Sequence, residues 1–355
     1  MSVDRTITFR PPADSHPLDW PKIAAHLRQA GFLLDLSVQP RQFGGGLANL
    51  NYLLRVDNGW AVLRRPPSGP LPPGAHDMVR EHRILARLWR ALPLAPRSLH
   101  LCEDRDVAGA PFQLLEYRSG TAVRGDRVAP LADTAATGLA LSRMLIETLA
   151  SIHDVDMEAV GLDTLGRPAD FFRRTCRGWA RRAELVLETG AAADAGMVSQ
   201  WLAQQQDVST MSPTLLHSDF KLDNILLDPT TGQPAAVLDW DMGTRGNPLL
   251  DLATLLSYWT EPGDPPCMHR LAQMPTARPG FLTREEVASR YGALTGRSLT
   301  GLKPYRVLAV FKLGVVFHQL AELHGHDAAT ADAGYAQLGH ELLEFCRDII
   351  SDKLF

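Results

Sequence analysis

His217, Asp219, Lys221 and Asn224 fall within one short run, Leu216-His-Ser-Asp-Phe-Lys-Leu-Asp-Asn224, and Asp239 follows in Val237-Leu238-Asp239-Trp240-Asp241. A carboxylate, an amide and a second carboxylate in this layout are the parts of a metal-dependent phosphoryl-transfer site. Asp219 is the candidate base that would orient an attacking hydroxyl and take its proton. Asn224 and Asp239 offer hard oxygen ligands to Mg2+. Lys221, two positions after the base, can reach the γ-phosphate of ATP as a point charge. His217 reads as an anchor for the loop backbone, and Asp251, after Asn247-Pro248, as a cap or brace for the same loop. Asp241 fits a solvated or loop-anchoring acid as well as a metal contact.

Such residues need elements that aim them. A helix is expected over 19–30, where Trp20, Ile23 and Leu27 share a side. Strand patterns follow near 42–47, 52–56 and 61–64, with a turn at Asp57-Asn58-Gly59. A helix at 76–92 and strands at 98–103 and 112–117, joined by a turn at 104–109, complete a five-stranded antiparallel meander with one helix. Within it Val62 and Arg64 share one strand face, and Arg65 lies on the other, where solvent is expected. Glu81 sits on the stripe of Met78, Leu85 and Leu88, so its carboxylate turns inward and calls for a cation. Arg64 is that candidate, either steering a nucleotide phosphate or forming an ordinary structural ion pair. Gly44, Gly45 and Gly46 would let backbone N–H groups approach phosphates, or simply make a hairpin turn. Glu116 and Tyr117 close the last strand, where a hinge backbone would meet adenine.

Beyond Arg118 helical patterns dominate, at 139–153, 171–188, 197–205, 249–258, 284–294 and 306–323. A hairpin of short apolar strands, 225–227 and 236–238, interrupts them. The proline-rich stretch 264–278 reads as a mobile surface loop. The expected division is a nucleotide-binding lobe over 1–117 and a catalytic, substrate-binding helical lobe over 118–355. Lys+Arg number 36 against 40 Asp+Glu, for a net charge of −4, and no basic block suits a nucleic acid. No run approaches the ~20 apolar residues of a membrane span, and the first residues carry no signal-like apolar stretch. The four cysteines are unpaired in spacing and read as packing residues in a reducing, cytoplasmic setting. Oligomeric state is not legible.

On these residues the chain resembles the aminoglycoside phosphotransferase and choline kinase-like family, most closely the branch fused to acyl-CoA dehydrogenases. The matching stretches are 43–52, 62–67, 75–76 with Arg80-Glu81, 215–227 and 238–252. The resemblance implies an α+β, protein-kinase-like two-lobed fold that uses ATP and Mg2+ to phosphorylate a hydroxyl of a small molecule. It also implies Asp219 as base, Asn224 and Asp239 on the metal, and Arg64 with Glu81 as the nucleotide-side pair. Two positions depart from the family's habit: arginine stands at 64 where lysine is common, and Ser218 where glycine is usual. An aminoglycoside-modifying resistance kinase would need a cluster of acids, for which Glu261 and Asp264 are the candidates. Lys312 and Arg306 would instead suit an anionic hydroxy-acyl acceptor, unless they are merely solvated. A nucleotide-binding pseudokinase or scaffold would keep the fold without the chemistry.

Overall fold

The computed structural model describes residues 8–44, 49–67, 69, 76–187, 189–205, 211–324 and 332–352. In chain order the first elements are α1 (Trp20–Gln29), β1 (Arg41–Gln42), β2 (Leu50–Val56), β3 (Gly59–Arg65), α2 (Met78–Leu88), β4 (Ser98–Cys102), α3 (Arg105–Ala108), β5 (Phe112–Glu116) and β6 (Thr121–Ala122). Then come α4 (Ala135–His153), α5 (Phe171–Val186), α6 (Thr189–Gln204), β7 (Thr214–Leu216), β8 (Ile225–Leu227), β9 (Pro234–Val237) and β10 (Thr244–Gly246). Five helices close the chain: α7 (Leu249–Tyr258), α8 (Pro266–Leu271), α9 (Arg284–Thr295), α10 (Leu302–His324) and α11 (Asp332–Ile350).

These elements cluster into two units. The first gathers Met1–Ala122, Asp156–Asp163 and Asn224–Gly243, and the second Val123–Val155, Thr164–Asp223 and Thr244–Phe355. The first unit is built on an antiparallel sheet in the order β1-β2-β3-β5-β4, the five strands expected. Asp57 and Asn58, both at positive φ (47° and 61°), make the tight β2–β3 turn, a conformation that short polar side chains tolerate. Ile23 and Leu27 of α1 pack with Tyr52, Leu54, Leu63, Phe112 and Leu114 in the core on this sheet. Helix α2 starts at Asp77, whose carboxylate accepts from the Arg80 N–H at 2.9 Å, and buries Met78, Glu81, Leu85 and Leu88 as the stripe requires.

Two expectations fail in this unit. Arg65 is not solvated but 2 % exposed. Arg65 shares its strand face with Ala61 and Leu63, which lie in the core that Val107 and Ala108 of α3 help to close, and its guanidinium donates to the Pro66 and Ala108 carbonyls at 3.0 and 2.7 Å. Residues 104–109, expected as a turn, instead form α3, capped by Asp104 and closed by Gly109 in the left-handed conformation. A second sheet, β6-β8-β9, contains the hairpin expected at 225–227 and 236–238.

Among the described residues the second unit is mainly helical, with β7 and β10 as its only strands. α4 is long and apolar enough to span a bilayer by composition, which no run was expected to be, and 56 % of that window is buried within the structure, as in a core helix. α10 and α11 meet at glycines: a Cβ on Gly339 would lie 2.9 Å from the Gly314 carbonyl oxygen. α11 was not anticipated. Nor is 264–278 a mobile loop, since it holds α8 and buries Cys267, Met268, Leu271, Met274 and Thr276. All four cysteines are buried thiols outside any disulfide, as a packing role requires.

Candidate active site

In the first unit, β3 and α2 bring Arg64 and Glu81 together as their strand and helix faces imply, with Arg64 Nε 2.8 Å from Glu81 Oε2. The other side of the guanidinium donates to Asp239 Oδ1. Glu81 also accepts from the Gln113 side-chain amide and, at 3.1 Å, from the Trp240 N–H. Burial alone would favour a neutral Arg64, but Asp239, Glu81 and Asp241 more than offset it and hold the guanidinium charged. Burial pushes the Glu81 carboxyl up, and Arg64 is the charge that opposes it.

Asp239 itself stands at φ 67°, a left-handed conformation that costs an ordinary side chain about 1–2 kcal/mol. Arg64, bonded to its carboxylate, and Glu81, bonded to the following N–H, hold it there. The Leu238 N–H donates to the Asn224 carbonyl at 2.8 Å, so the two proposed metal ligands lie on one hairpin framework. Asp241 is buried; its Oδ2 accepts from Asn49 Nδ2 at 3.5 Å and lies 4.0 Å from His76 Nδ1. Asn49 Oδ1 in turn meets His76 Nδ1 at 3.0 Å. Asp241 is therefore not the solvated acid considered above. Val62 is half-buried on the Arg64 face of β3.

Two backbone candidates are occupied. The Gly44 N–H donates to the Thr8 carbonyl at 2.8 Å, so it does not present a donor to phosphate. Gly45 and Gly46 lie outside the described residues. The Glu116 N–H donates to the Arg97 carbonyl at 2.8 Å, so that donor is not offered to a base. Tyr117, which follows, is buried.

In the second unit the loop after β7 carries the proposed base. Asp219 Oδ1 accepts from the Tyr258 hydroxyl at 2.9 Å, and Oδ2 lies 3.2 Å from Lys221 Nζ. Lys221 stacks over the Tyr258 ring at 4.9 Å and lies 3.9 Å from Asp223 Oδ1. Lys312 of α10 donates to the Ser218 carbonyl at 2.9 Å, and with Arg182 it flanks the Trp179 ring of α5, at 6.0 and 4.5 Å. Burial alone would raise the Asp219 carboxyl; Lys221 and then Lys312 more than offset this and hold it below the ordinary carboxylate range. Arg306, considered with Lys312 as a cation for an anionic acceptor or as merely solvated, is 2 % exposed and so not solvated.

The loop is fixed from α7. Asp251, fully buried, accepts from the His217 and Ser218 N–H groups at 2.6 and 2.8 Å, which is the brace inferred from its position. His217 Nδ1 accepts from the Asp219 N–H at 3.3 Å, an anchoring role rather than an acid–base one. Tyr258 is the residue that sequence reasoning missed. It follows Asp251 by seven positions, nearly two helical turns, so both project from one face of α7 toward the same loop.

Ser218 sits at φ 69°, the strained conformation that a glycine there would relieve, and its buried hydroxyl has no hydrogen-bond partner among the described residues. Ser218→Gly is accordingly expected to stabilise the protein by about 1 kcal/mol, after allowing for glycine's backbone entropy. A thermal scan should show the midpoint rising by about 2 °C.

The acids proposed for an aminoglycoside are already spoken for. Arg284 Nη1 donates to Asp264 Oδ2 at 2.7 Å and to the Trp259 carbonyl at 2.8 Å, and its Nη2 lies 3.2 Å from Glu261 Oε2. Both carboxylates thus face a buried guanidinium of the chain itself.

Comparison with known proteins agrees with this architecture. A Ralstonia eutropha protein whose assignment as an aminoglycoside phosphotransferase is provisional superposes with a TM-score of 0.73 at 23 % identity, over 94 % of this chain and 99 % of its own. A thermostable mutant of aminoglycoside phosphotransferase APH(4)-Ia, in a ternary complex with ADP and hygromycin B, superposes with a TM-score of 0.61 at 16 % identity over 92 % of this chain and 98 % of its own. These likenesses establish the α+β, protein-kinase-like fold. In sequence the chain is 33 % identical to acyl-CoA dehydrogenase family member 10 of Mus musculus over 257 residues, 70 % of this chain and 23 % of that protein. It is 29 % identical to family member 11 of Rattus norvegicus over 319 residues, 88 % of this chain and 40 % of that protein. The chain therefore spans less than half the length of these relatives. The model of the phosphotransferase enzyme family matches residues 39–286, and the chain belongs to that family.

Proposed function

We propose that the chain is an ATP- and Mg2+-dependent kinase that phosphorylates a hydroxyl of an anionic small molecule. The observation that carries this reading is the setting of Asp219. It is a carboxylate kept ionised beside Lys221 and Lys312 and anchored by Tyr258, as a base for a hydroxyl must be. In the reaction the acceptor oxygen would bond to the γ-phosphorus, the bond from that phosphorus to the β–γ bridging oxygen would break, and the hydroxyl proton would pass to Asp219. Lys221 would exchange its ion pair with Asp219 for the phosphoryl group as negative charge develops there. Asn224 and Asp239 supply the all-oxygen donor set that suits Mg2+, which when bound neutralises phosphate charge. Arg64, fixed by Glu81, would bind nucleotide phosphate in the place where the family commonly has lysine.

The anionic acceptor rests on two features of the second unit: cations lie around Asp219, and the acids that would draw a polycationic drug are neutralised by Arg284. The names of the longer relatives point to an acyl compound, and a hydroxy-acyl acid or thioester fits both indications. We extend the proposal to the cytoplasm, where four buried thiols outside any disulfide would stay reduced. The test follows ADP release from ATP with panels of hydroxy-acyl compounds and of aminoglycosides, each with and without Mg2+. Metal-dependent turnover with the first panel alone is expected. Turnover with aminoglycosides alone would replace the acceptor class, and tight ATP binding without turnover in any arm would favour a pseudokinase.

A further inference from the structure

Tyr258 belongs to no motif, yet its hydroxyl is 2.9 Å from the proposed base. Burial, and then the Asp219 charge, push the phenol's pKa up, so it keeps its proton and donates. The two oxygens of Asp219 are thereby engaged differently: Tyr258 takes Oδ1 from the buried last residue of α7, and Lys221 takes Oδ2 from a long four-carbon stem. An exchange that draws Lys221 toward phosphate exposes Oδ2 and leaves Oδ1 anchored.

We infer that Tyr258 is a positioning residue for phosphoryl transfer, locking the Asp219 carboxylate by one oxygen so that the other meets the acceptor hydroxyl in a fixed orientation. The inference rests on the kinase reading above. It gives α7 a double duty, since Asp251 fixes the loop backbone and Tyr258 fixes the side chain that the loop presents. A base with free torsion about its Cα–Cβ and Cβ–Cγ bonds would lose part of the orientation that enzymes use to accelerate transfer.

The test is Tyr258→Phe in the full chain. Phenylalanine keeps the ring, its packing and the face on which Lys221 stacks, and removes only the donor. With Mg2+ and ATP, and water in place of the unidentified acceptor, the expected result is a fall in kcat of about ten-fold with KM for ATP unchanged. The acid limb of the pH–rate profile should also move. The hydrogen bond stabilises ionised Asp219, so its loss raises the carboxyl's pKa and shifts the limb upward, by about one pH unit. The other groups acting on Asp219, the charges of Lys221 and Lys312 and the neighbouring ring of His217, are the same in both proteins. A role confined to packing would leave that limb where it is. Wild-type rate and pH profile in a folded Tyr258→Phe protein would overturn the inference alone, whereas absence of MgATP turnover in the wild type with water and with every acceptor panel above would overturn the kinase reading and this inference together. Should the phenylalanine variant unfold, Tyr258→His, which retains a ring N–H donor, serves in its place: a rate nearer wild type than that of Tyr258→Leu supports positioning, and equal loss in both overturns it.

Discussion

Asp219→Asn is expected to cut MgATP turnover by about 10²–10⁴-fold, the range that a positioned general base contributes, while ATP affinity stays within about two-fold of wild type. The substitution is nearly isosteric. The amide oxygen can still accept from Tyr258, and the loop backbone remains held by Asp251, which accepts from the His217 and Ser218 N–H groups. What disappears is the group proposed to take the acceptor's proton, together with the negative charge that pairs with Lys221 across 3.2 Å. Freed of that partner, Lys221 can only hold phosphate as well or better, so a loss confined to kcat is the signature of chemistry. ADP release measures the rate and equilibrium titration with ATP the affinity. Turnover equal to wild type would remove Asp219 from the reaction, and a parallel collapse of ATP affinity would assign it to nucleotide binding instead.

Asp251→Ala should destabilise the protein by about 3–5 kcal/mol. The carboxylate is fully buried at the start of α7 and receives two backbone N–H groups, with His153 Nε2 3.4 Å from the same Oδ2. Truncation leaves two buried donors without an acceptor, each at a cost of about 1–3 kcal/mol, and removes a negative charge from a helix N-terminus that favours one. Asp251→Asn, which retains one acceptor oxygen but sets an N–H2 against the loop N–H groups, should fall between the two. Denaturant unfolding with an unchanged m-value would register the loss as a shift in midpoint. A midpoint within about 0.5 kcal/mol of wild type would mean that the loop satisfies those N–H groups elsewhere.

Much of this arrangement was legible because period and residue type agreed. The alternation of β3 placed Arg64 beside Val62, the stripe of α2 turned Glu81 inward, and the pair forms at 2.8 Å. Alternation misplaced Arg65 for a physical reason: it reports which face a side chain leaves from, not whether that face is covered, and the face Arg65 shares with Ala61 and Leu63 carries the core that α3 helps to close. Prolines and small residues made 264–278 look mobile, but Pro266 sits in the first turn of α8, where proline is favourable. Tyr258 escaped notice because a single tyrosine at the end of an apolar helix has no motif. The seven-residue step from Asp251 was the available signal, and its meaning depends on where the 217–219 loop runs. The strain at Ser218 and Asp239 was likewise hidden, apart from the hint that relatives place glycine at the first.

The Arg284 ion pairs also bear on how this scaffold could change its diet. A route toward binding polyamine drugs would have to free Glu261 and Asp264, and the direct way is to lose Arg284. That residue is buried, so its loss strands Asp264 as an uncompensated charge, at a cost of about 3–5 kcal/mol. A single mutational step therefore lowers fitness before any new selectivity is gained, and a lineage of this type would need a compensating change first.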